Sequence, residues 1–280
     1  MSRSVPAFVV RFVLGLFLVL GVFSSTGWAQ TIAFVQVSSA VPSSPESSAS
    51  ATYVGAQTAG DTNVVAIGWN DSSSSVTSVT DTNGNTYTAA VGPTIQPGFA
   101  TQIVYVGRNI VAAAAGANTV TVTFNTAVPF ADLRILEYRG LDAASPVDAT
   151  TAAIGTGATG NSGPVTSSHA YDLIFGADYV STTTTNSGNG FLSRVITNPD
   201  GDIAEDQIVT ATGTYTATAP VNNGQWIMQS VALMGAAAAP PASDPSVVGQ
   251  WGAVTAWPIL PIHVTLMPTG KVLAYGHDST

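Results

Sequence analysis

The densest group of side chains that could do chemistry is an acidic segment near the end of the main module. It reads Asn198-Pro199-Asp200-Gly201-Asp202-Ile203-Ala204-Glu205-Asp206. Oxygen ligands grouped around a glycine turn are what Ca²⁺ binds in proteins, although the spacing here is not that of an EF-hand loop. The segment predicts either a plain acidic turn or a calcium site. The candidate ligands are Asp200, Asp202, Glu205 and Asp206.

Aromatic residues at strand ends are the second group of candidates. Proteins bind sugars by stacking the apolar sugar face on an exposed ring, with polar groups around it. Trp69 precedes Asn70-Asp71 and a serine run, and Tyr87 follows an Asn-Gly turn. We expect Trp69 and Tyr87 to be the best carbohydrate-binding candidates, and the alternative for each is a structural role in the core.

Catalytic groups are poorly represented. His169 is the only histidine before the linker, and it lies in the polar segment 167–172. A serine, a histidine and an aspartate close in sequence do not indicate a catalytic triad, whose members usually come from separate elements. Glu46, Glu137 and Glu205 show no spacing that indicates a glycosidase pair. We predict that His169 is a solvated loop residue and that this chain is not an enzyme.

The elements that position these residues are predicted to be strands. Apolar residues between Thr31 and Met234 recur mostly with a period of two, as in Thr119–Phe124, where alternate residues are Val120, Val122 and Phe124. The predicted strands are 32–37, 64–69, 76–80, 86–91, 102–106, 119–124, 133–138, 173–178, 191–196, 207–210 and 226–234. Strands without helices predict an all-β fold, an antiparallel two-sheet β-sandwich of jelly-roll-like type.

Three finer expectations follow from the strand pattern. Asn83-Gly84 within the segment 81–85 supplies the backbone angles of a tight hairpin between two strands. The strand 226–234 is apolar on both sides, so we expect it to be covered on both faces. We also expect the first strand to pair with this last one.

The amino terminus has the pattern of a secretory signal peptide. Arg3 and Arg11 precede an apolar run from Phe12 to Phe23, and small residues lead to Ala29-Gln30. We predict a signal peptide over residues 1–29, cleavage near Ala29-Gln30 and a secreted protein. A retained membrane anchor is the alternative, but the run is shorter than a spanning helix needs. We expect no stable membrane insertion after removal of the leader.

Composition restricts the partners. The chain has 16 acidic and 7 basic residues, so its acidic surface repels phosphate backbones and makes nucleic acid an unsuitable partner. It contains no cysteine, so a core rather than disulfides must stabilise the predicted domain of residues 30–235. Nothing in the sequence indicates an oligomeric state.

The carboxy-terminal part has a different composition. An Ala/Pro-rich stretch over residues 236–246 reads as a linker, and a new unit is expected over 247–280. This unit contains Val248-Gly249-Gln250-Trp251, Trp257-Pro258-Ile259 and the segment 262–276, in which Pro268-Thr269-Gly270-Lys271 forms a turn between apolar runs. The segment resembles the first blade of the galactose oxidase and glyoxal oxidase family, kelch-type β-propellers.

The resemblance implies a radical-copper oxidase further along the protein. That family uses a copper ion and a tyrosine cross-linked to a cysteine, and this chain has no cysteine. The family's copper ligands belong to later blades, which no residue here matches, so copper is expected only in a missing downstream domain. His263 and His277 are read as ordinary strand or turn residues. A propeller needs at least four blades, so we expect the chain to be the amino-terminal part of a longer protein, with the first blade incomplete.

Three functional hypotheses remain. The first is a non-catalytic accessory module, carbohydrate-binding or lectin-like, that takes an extracellular glycan and uses no cofactor except Ca²⁺. The second is a structural or adhesion spacer, which low charge and Thr-rich strands fit equally well. The third is the amino-terminal portion of a galactose oxidase-like copper enzyme.

Overall fold

The structure is a computed structural model that describes residues 31–236 and the backbone of two later strands, 260–266 and 272–277. The predicted signal peptide (1–29), the linker after residue 236 and the remainder of 247–280 lie outside the described residues. The chain divides into two compact units, Met1–Ala238 and Ala239–Thr280. The described residues form strands and turns and contain no α-helix, which confirms the all-β prediction.

The first half of the large unit contains eight strands. They are β1 (Ala33–Ala40), β2 (Glu46–Thr52), β3 (Thr62–Trp69), β4 (Val76–Asp81), β5 (Thr88–Gln96), β6 (Ala100–Gly107), β7 (Thr119–Val128) and β8 (Asp132–Arg139). Sheet I is the five-stranded sheet with the order β1-β8-β3-β6-β5, and sheet II has the order β2-β7-β4. All of these strand pairs are antiparallel.

The second half contains seven strands. They are β9 (Val147–Asn161), β10 (Val165–Ser167), β11 (Asp172–Val180), β12 (Leu192–Ile196), β13 (Ile203–Val209), β14 (Gly213–Tyr215) and β15 (Thr218–Met234). Sheet III has the order β9-β15-β11-β13-β12, and sheet IV is the pair β10-β14. These pairs are antiparallel as well.

The two halves repeat one topology. Strands β1, β8, β3, β6 and β5 of sheet I correspond in order to β9, β15, β11, β13 and β12 of sheet III. In this correspondence β4 has no counterpart in the second half. Sheet II and sheet IV correspond in the same way, since β2 pairs with β7 and β10 pairs with β14. We call these two halves, 33–139 and 147–234, the half-modules. The described large unit is therefore a pair of similar sandwiches joined through sheets I and III.

Sheet I is a middle layer, which explains its composition. All eight residues of β3 are buried. Val65 and Ile67 pack against sheet II, whereas Val64 and Ala66 pack against sheet III. A third apolar cluster lies between sheet III and the segments that carry sheet IV. The sequence predicted two sheets, but the described large unit has four, with one apolar cluster between each neighbouring pair. The strands of the two inner sheets can therefore be covered on both faces.

The strand predictions are largely confirmed. All eleven predicted segments overlap observed strands, Val120, Val122 and Phe124 are buried, and β15 is covered on both faces over its second half. The prediction that the first and last strands pair is wrong, because β1 pairs with β8. Four strands were not predicted, and their sequences are short or dominated by small and polar residues. They are β2, β9, β10 and β14.

The predicted hairpin at residues 81–85 is also wrong. Strand β4 pairs with β7 in sheet II, and β5 pairs with β6 in sheet I, so the turn carries the chain from one sheet to the other. The Asp81 carboxylate accepts the backbone N–H groups of Asn83 and Asn85 at 3.1 and 2.9 Å, which shapes this turn without strand pairing. Gly84 has φ +75°, so the left-handed angle expected from the Asn-Gly pair is present.

The described residues of the small unit form an antiparallel hairpin, β16 (Leu260–Leu266) with β17 (Val272–His277). This pairing agrees with the two strands predicted on either side of residues 268–271. A hairpin occurs in many folds, so it does not by itself indicate a propeller. Within the described ranges, no helix has the length and apolar character needed to cross a bilayer.

Candidate ligand cleft and acidic cluster

A cleft of about 490 Å³ opens where turns from both half-modules meet. We call it the end cleft. It receives the residue after β3, the β5–β6 and β7–β8 turns, the segment after β11 and the β12–β13 turn. Its lining residues are Asn70, Gly98, Phe99, Phe130, Tyr179, Val180, Ser181, Thr182, Pro199 and Asp200. The end cleft therefore combines aromatic rings with amide, hydroxyl and carboxylate groups.

Phe130 is the exposed ring of the end cleft. Its side chain is 53% exposed, whereas the Phe99 and Tyr179 rings, whose centroids lie 5.8 Å apart, are largely buried beside it. The backbone of Phe130 has φ +47°, a left-handed conformation that costs energy for a bulky residue. The Tyr179 hydroxyl donates a hydrogen bond of 2.7 Å to the Phe130 carbonyl and helps to fix this turn. An apolar ring is thus held at the mouth of a polar cleft.

An acidic cluster lies behind the end cleft. We define the acidic cluster as Asp132, Asp200 and Asp202, each of which places a carboxylate oxygen within 4.8 Å of the others. Asp132 begins β8 in the first half-module, and the other two lie on the β12–β13 turn of the second. Asp200 is half-buried and also lines the end cleft, while Asp132 and Asp202 are fully buried.

The turn that carries Asp200 and Asp202 is closed by Thr197. Its N–H donates to the Asp202 carbonyl at 3.0 Å, and its carbonyl accepts the N–H of Gly201 at 3.0 Å. Gly201 has φ +82°, and a Cβ there would lie 2.8 Å from the Thr183 Cα, so only glycine fits. The Thr197 hydroxyl donates to Asp132 Oδ2, which links this turn to β8.

The acidic cluster has fewer donors than its oxygens can accept. Asp202 Oδ1 accepts the N–H of Val180 at 2.7 Å, but Oδ2 of this fully buried residue has no N–H or hydroxyl donor among the described residues, and its carboxyl group lies against that of Asp132. Asp200 Oδ2 is also buried and without a partner there. Arg134 Nε lies 2.8 Å from Asp132 Oδ1, an ion-pair contact without hydrogen-bond geometry. Buried polar atoms are normally hydrogen-bonded, so these oxygens are exceptional.

One arginine cannot balance the carboxylates around it. The guanidinium of Arg134 also donates to the carbonyls of Asp178 and Ile203 at 2.7 and 2.5 Å, so its donors are shared. Burial raises the pKa of Asp202 well above its usual value, the charge of Asp132 raises it further, and Arg134 opposes the change. Burial likewise raises the pKa of Asp178, to about 6. The site favours removal of negative charge, by a proton or by a cation.

The other two predicted calcium ligands have different partners. Glu205 Oε2 accepts the N–H of Gly188 at 2.8 Å, away from the acidic cluster. Asp206 forms a two-point ion pair with Arg194, both contacts 2.7 Å long, and accepts the Tyr138 hydroxyl. The structure therefore brings Asp200 and Asp202 together with Asp132 and places Glu205 and Asp206 elsewhere. Glu205 and Asp206 lie on β13, after the turn, and successive residues of a strand point to opposite faces. Arg194 on β12 holds Asp206.

The two predicted sugar-stacking residues differ in exposure: Trp69 is buried and Tyr87 is half-buried. Trp69 has no exposed surface, and its ring packs edge-on against Phe124 with centroids 5.2 Å apart. The Tyr87 hydroxyl points inward, donating to Asp81 and accepting from Asn63, both at 2.9 Å. Trp69 is therefore a core residue between sheets I and II, which corrects its assignment. Tyr87 is half-buried, its hydroxyl is held by Asp81 and Asn63, and it does not line the end cleft.

His169 and a second groove lie away from the end cleft in the described large unit. The His169 side chain is 54% exposed, as expected for a loop residue, and its Nδ1 lies 3.0 Å from the Ser168 hydroxyl and 3.5 Å from Asp148. The groove, of about 880 Å³, lies at the other end of β5 and β6 and is lined by residues such as Arg108 and Asn109. No aromatic ring lines it, so it is less suited to stacking a sugar than the end cleft.

Sequence reasoning missed Asp132 and Phe130. Asp132 lies sixty-odd residues before Asp200 in the printed sequence, and only the packing of the half-modules brings them together. A local signal existed, since the buried strand β8 alternates charged and apolar residues over Asp132, Leu133, Arg134 and Ile135. Comparison with models of protein families, with curated proteins and with solved structures finds no match.

Proposed function

We propose that the described large unit is a non-catalytic carbohydrate-binding module of a secreted protein, and that the end cleft is its binding site. The exposed Phe130 ring, with polar groups around it, carries this proposal. A sugar can stack its apolar face on such a ring while its hydroxyls bond to nearby amide, hydroxyl and carboxylate groups. Secretion is proposed from the signal-peptide pattern of residues 1–29, because an exported module meets extracellular glycans.

The rim of the end cleft carries polar groups that a sugar can reach. Asn70 and Ser181 are exposed, just after β3 and β11. Asp200 is half-buried and adds a carboxylate to the lining. Amide, hydroxyl and carboxylate groups can together donate and accept, which is what vicinal sugar hydroxyls require. The end cleft is therefore a better candidate than the larger groove beside Arg108.

A glycan array with the full chain, in Ca²⁺ and in EDTA, tests the proposal. We expect binding to a restricted set of glycans and a loss of at least tenfold in affinity for Phe130→Ala. The matched control is Leu192→Ala, since Leu192 is 59% exposed at the start of β12, outside the end cleft. Equal binding by both variants, or no binding to any glycan by the folded wild type, would contradict the proposal and favour the spacer hypothesis.

A further inference from the structure

We propose that the acidic cluster is a divalent-cation site that prefers Ca²⁺ and is formed by one carboxylate from the first half-module and two from the second. Asp132, Asp200 and Asp202 are the ligands, and the ion would lie behind the end cleft. The proposal does not depend on carbohydrate binding, because it rests on the unpartnered oxygens and on their charge.

Two buried carboxylate oxygens of the acidic cluster lack hydrogen-bond donors among the described residues. A buried carboxylate oxygen without a donor is costly, and native proteins satisfy such atoms with protein groups, water or an ion. Asp202 Oδ2 belongs to a residue with no exposed surface, and Asp200 Oδ2 is buried on the same turn. Since each carboxylate has an oxygen within 4.8 Å of the others, one ion of ordinary radius could contact all three.

Three carboxylates lie together, and among the described residues only the Arg134 guanidinium forms an ion pair with one of them, Asp132. Like charges held this close in a poorly hydrated site repel strongly, and a divalent cation removes most of that repulsion. The carboxylates come from both half-modules, so an ion here would join sheets I and III at the end of the molecule where the cleft opens.

The ligand set of the acidic cluster suits Ca²⁺. All the proposed ligands are hard oxygen atoms, which excludes preference for softer metals that favour imidazole or thiolate. The ligands come from a turn and a strand end rather than from a symmetric cage, and Ca²⁺ tolerates such irregular geometry better than Mg²⁺ does. Asp200 is half-buried and lines the end cleft, so the ion has a route to solvent and water can complete its coordination.

Calorimetric titration of the full chain at pH 7, after removal of metals with EDTA, tests the site. We expect one Ca²⁺ per chain and at least tenfold weaker binding of Mg²⁺. Once the site is saturated, each tenfold increase in Ca²⁺ should raise the melting temperature by about 3 to 5 °C. Asp202→Asn keeps the Oδ1 acceptor for Val180 and changes only Oδ2, so it should weaken Ca²⁺ binding at least tenfold.

The matched control is Asp71→Asn. Asp71 lies at the same end of the molecule, but its carboxylate is already bonded to the N–H and hydroxyl groups of Ser73 and Ser74. This variant should bind Ca²⁺ as the wild type does. If Asp202→Asn does not fold, Asp200→Asn at the half-buried ligand provides the same test.

Two results would overturn the proposal. One is the absence of saturable Ca²⁺ binding by the folded wild type, which would leave the acidic cluster holding a proton. The other is equal Ca²⁺ affinity in the wild type and in the folded Asp202→Asn or Asp200→Asn variant, which would place the ion elsewhere. Neither result bears on glycan binding in EDTA, so this failure is distinguishable from failure of the carbohydrate proposal.

Discussion

Asp81 and Asp202 lie on aspartate- and glycine-containing turns, one in each half-module, but their surroundings are opposite. The carboxylate of Asp81 accepts five hydrogen bonds, from the backbone of Asn83, the backbone and side chain of Asn85, and the side chains of Tyr87 and Asn118. The carboxylate of Asp202 accepts one hydrogen bond, from the backbone N–H of Val180. Burial acts to raise the pKa of Asp81, but the bonds from Asn85, Asn118 and Tyr87 together lower it. The pKa of Asp202 is raised by burial and by Asp132.

The comparison shows that an aspartate's role depends on its hydrogen-bond donors as well as on its burial, since Asp81 is half-buried and Asp202 is fully buried. A carboxylate supplied with donors fixes a turn and needs nothing further. One that lacks donors and faces other carboxylates is unstable as a lone anion, so it must take up a proton or an ion. The same Asp→Asn change should therefore have opposite consequences at the two positions.

The largest effect at a single pH is expected for Asp81→Asn. The new NH₂ group would face the donors of Asn85, Tyr87 and Asn118, so several polar groups would lose their acceptor. We expect the free energy of unfolding to fall by about 3 kcal/mol. Urea unfolding at pH 7 should give the same loss in Ca²⁺ and in EDTA. A loss of stability that Ca²⁺ reverses would contradict this, because it would mean that the Asp81 turn also responds to Ca²⁺.

The second-largest effect is expected for Asp202→Asn, which should remove the increase in the free energy of unfolding that Ca²⁺ gives the wild type. At Ca²⁺ 100-fold above the dissociation constant, the wild type should gain about 2.7 kcal/mol relative to EDTA, and the variant should gain almost none. In EDTA the variant should be at least as stable as the wild type, because an amide replaces a buried carboxylate that lacks donors. Urea unfolding of both proteins in both buffers measures the four values. A large destabilisation of the variant in EDTA would contradict this account.

Half of this comparison could be predicted from the sequence. The segments around Asp81 and Asp200 are visible as turns because Asn, Asp, Pro and Gly cluster there. What the turns do depends on distant partners: Asn118 supplies a donor to Asp81, and Asp132 adds a carboxylate beside Asp202. Strand periodicity located the apolar strands, but it could not count the sheets or find small-residue strands such as β2 (ESSASAT), whose apolar signal is weak.

Glu205 is an intermediate case that sharpens the comparison. Its Oε1 is buried without a partner, and burial, together with the charges of Asp178 and Asp206, raises its pKa to about 8. Between about pH 4.3 and pH 8, Glu205 holds a proton in the folded state but releases it in the unfolded state, where its pKa is about 4.3. The stability that this proton contributes is fully present below about pH 4.3. It is lost as the pH rises through 8, by up to about 1.4 kcal/mol per pH unit.

Glu205→Gln should remove this part of the pH dependence. Urea unfolding of the wild type and the variant in EDTA, from pH 5 to 8, measures the difference between their slopes. The variant should lose less stability than the wild type as the pH rises. Parallel slopes would mean that Glu205 finds a donor, or water, in solution.

The smallest change in stability is expected at Phe130, where the cause is an unfavourable backbone conformation and not a buried charge. Its φ of +47° suits glycine better than a residue with a Cβ, so Phe130→Gly should be more stable than Phe130→Ala by about 1 kcal/mol. Both variants lack the ring, so both should lose glycan binding to the same extent. Thermal unfolding compares their stabilities, and equal values would show that the turn relaxes in solution.

The most direct test of the account is diffraction from crystals of the full chain grown with Mn²⁺ as an anomalous substitute for Ca²⁺. The account predicts one anomalous peak in contact with oxygens of Asp132, Asp200 and Asp202, and none at Asp81. An acidic cluster without a peak, or a peak at the Asp81 turn, would contradict it.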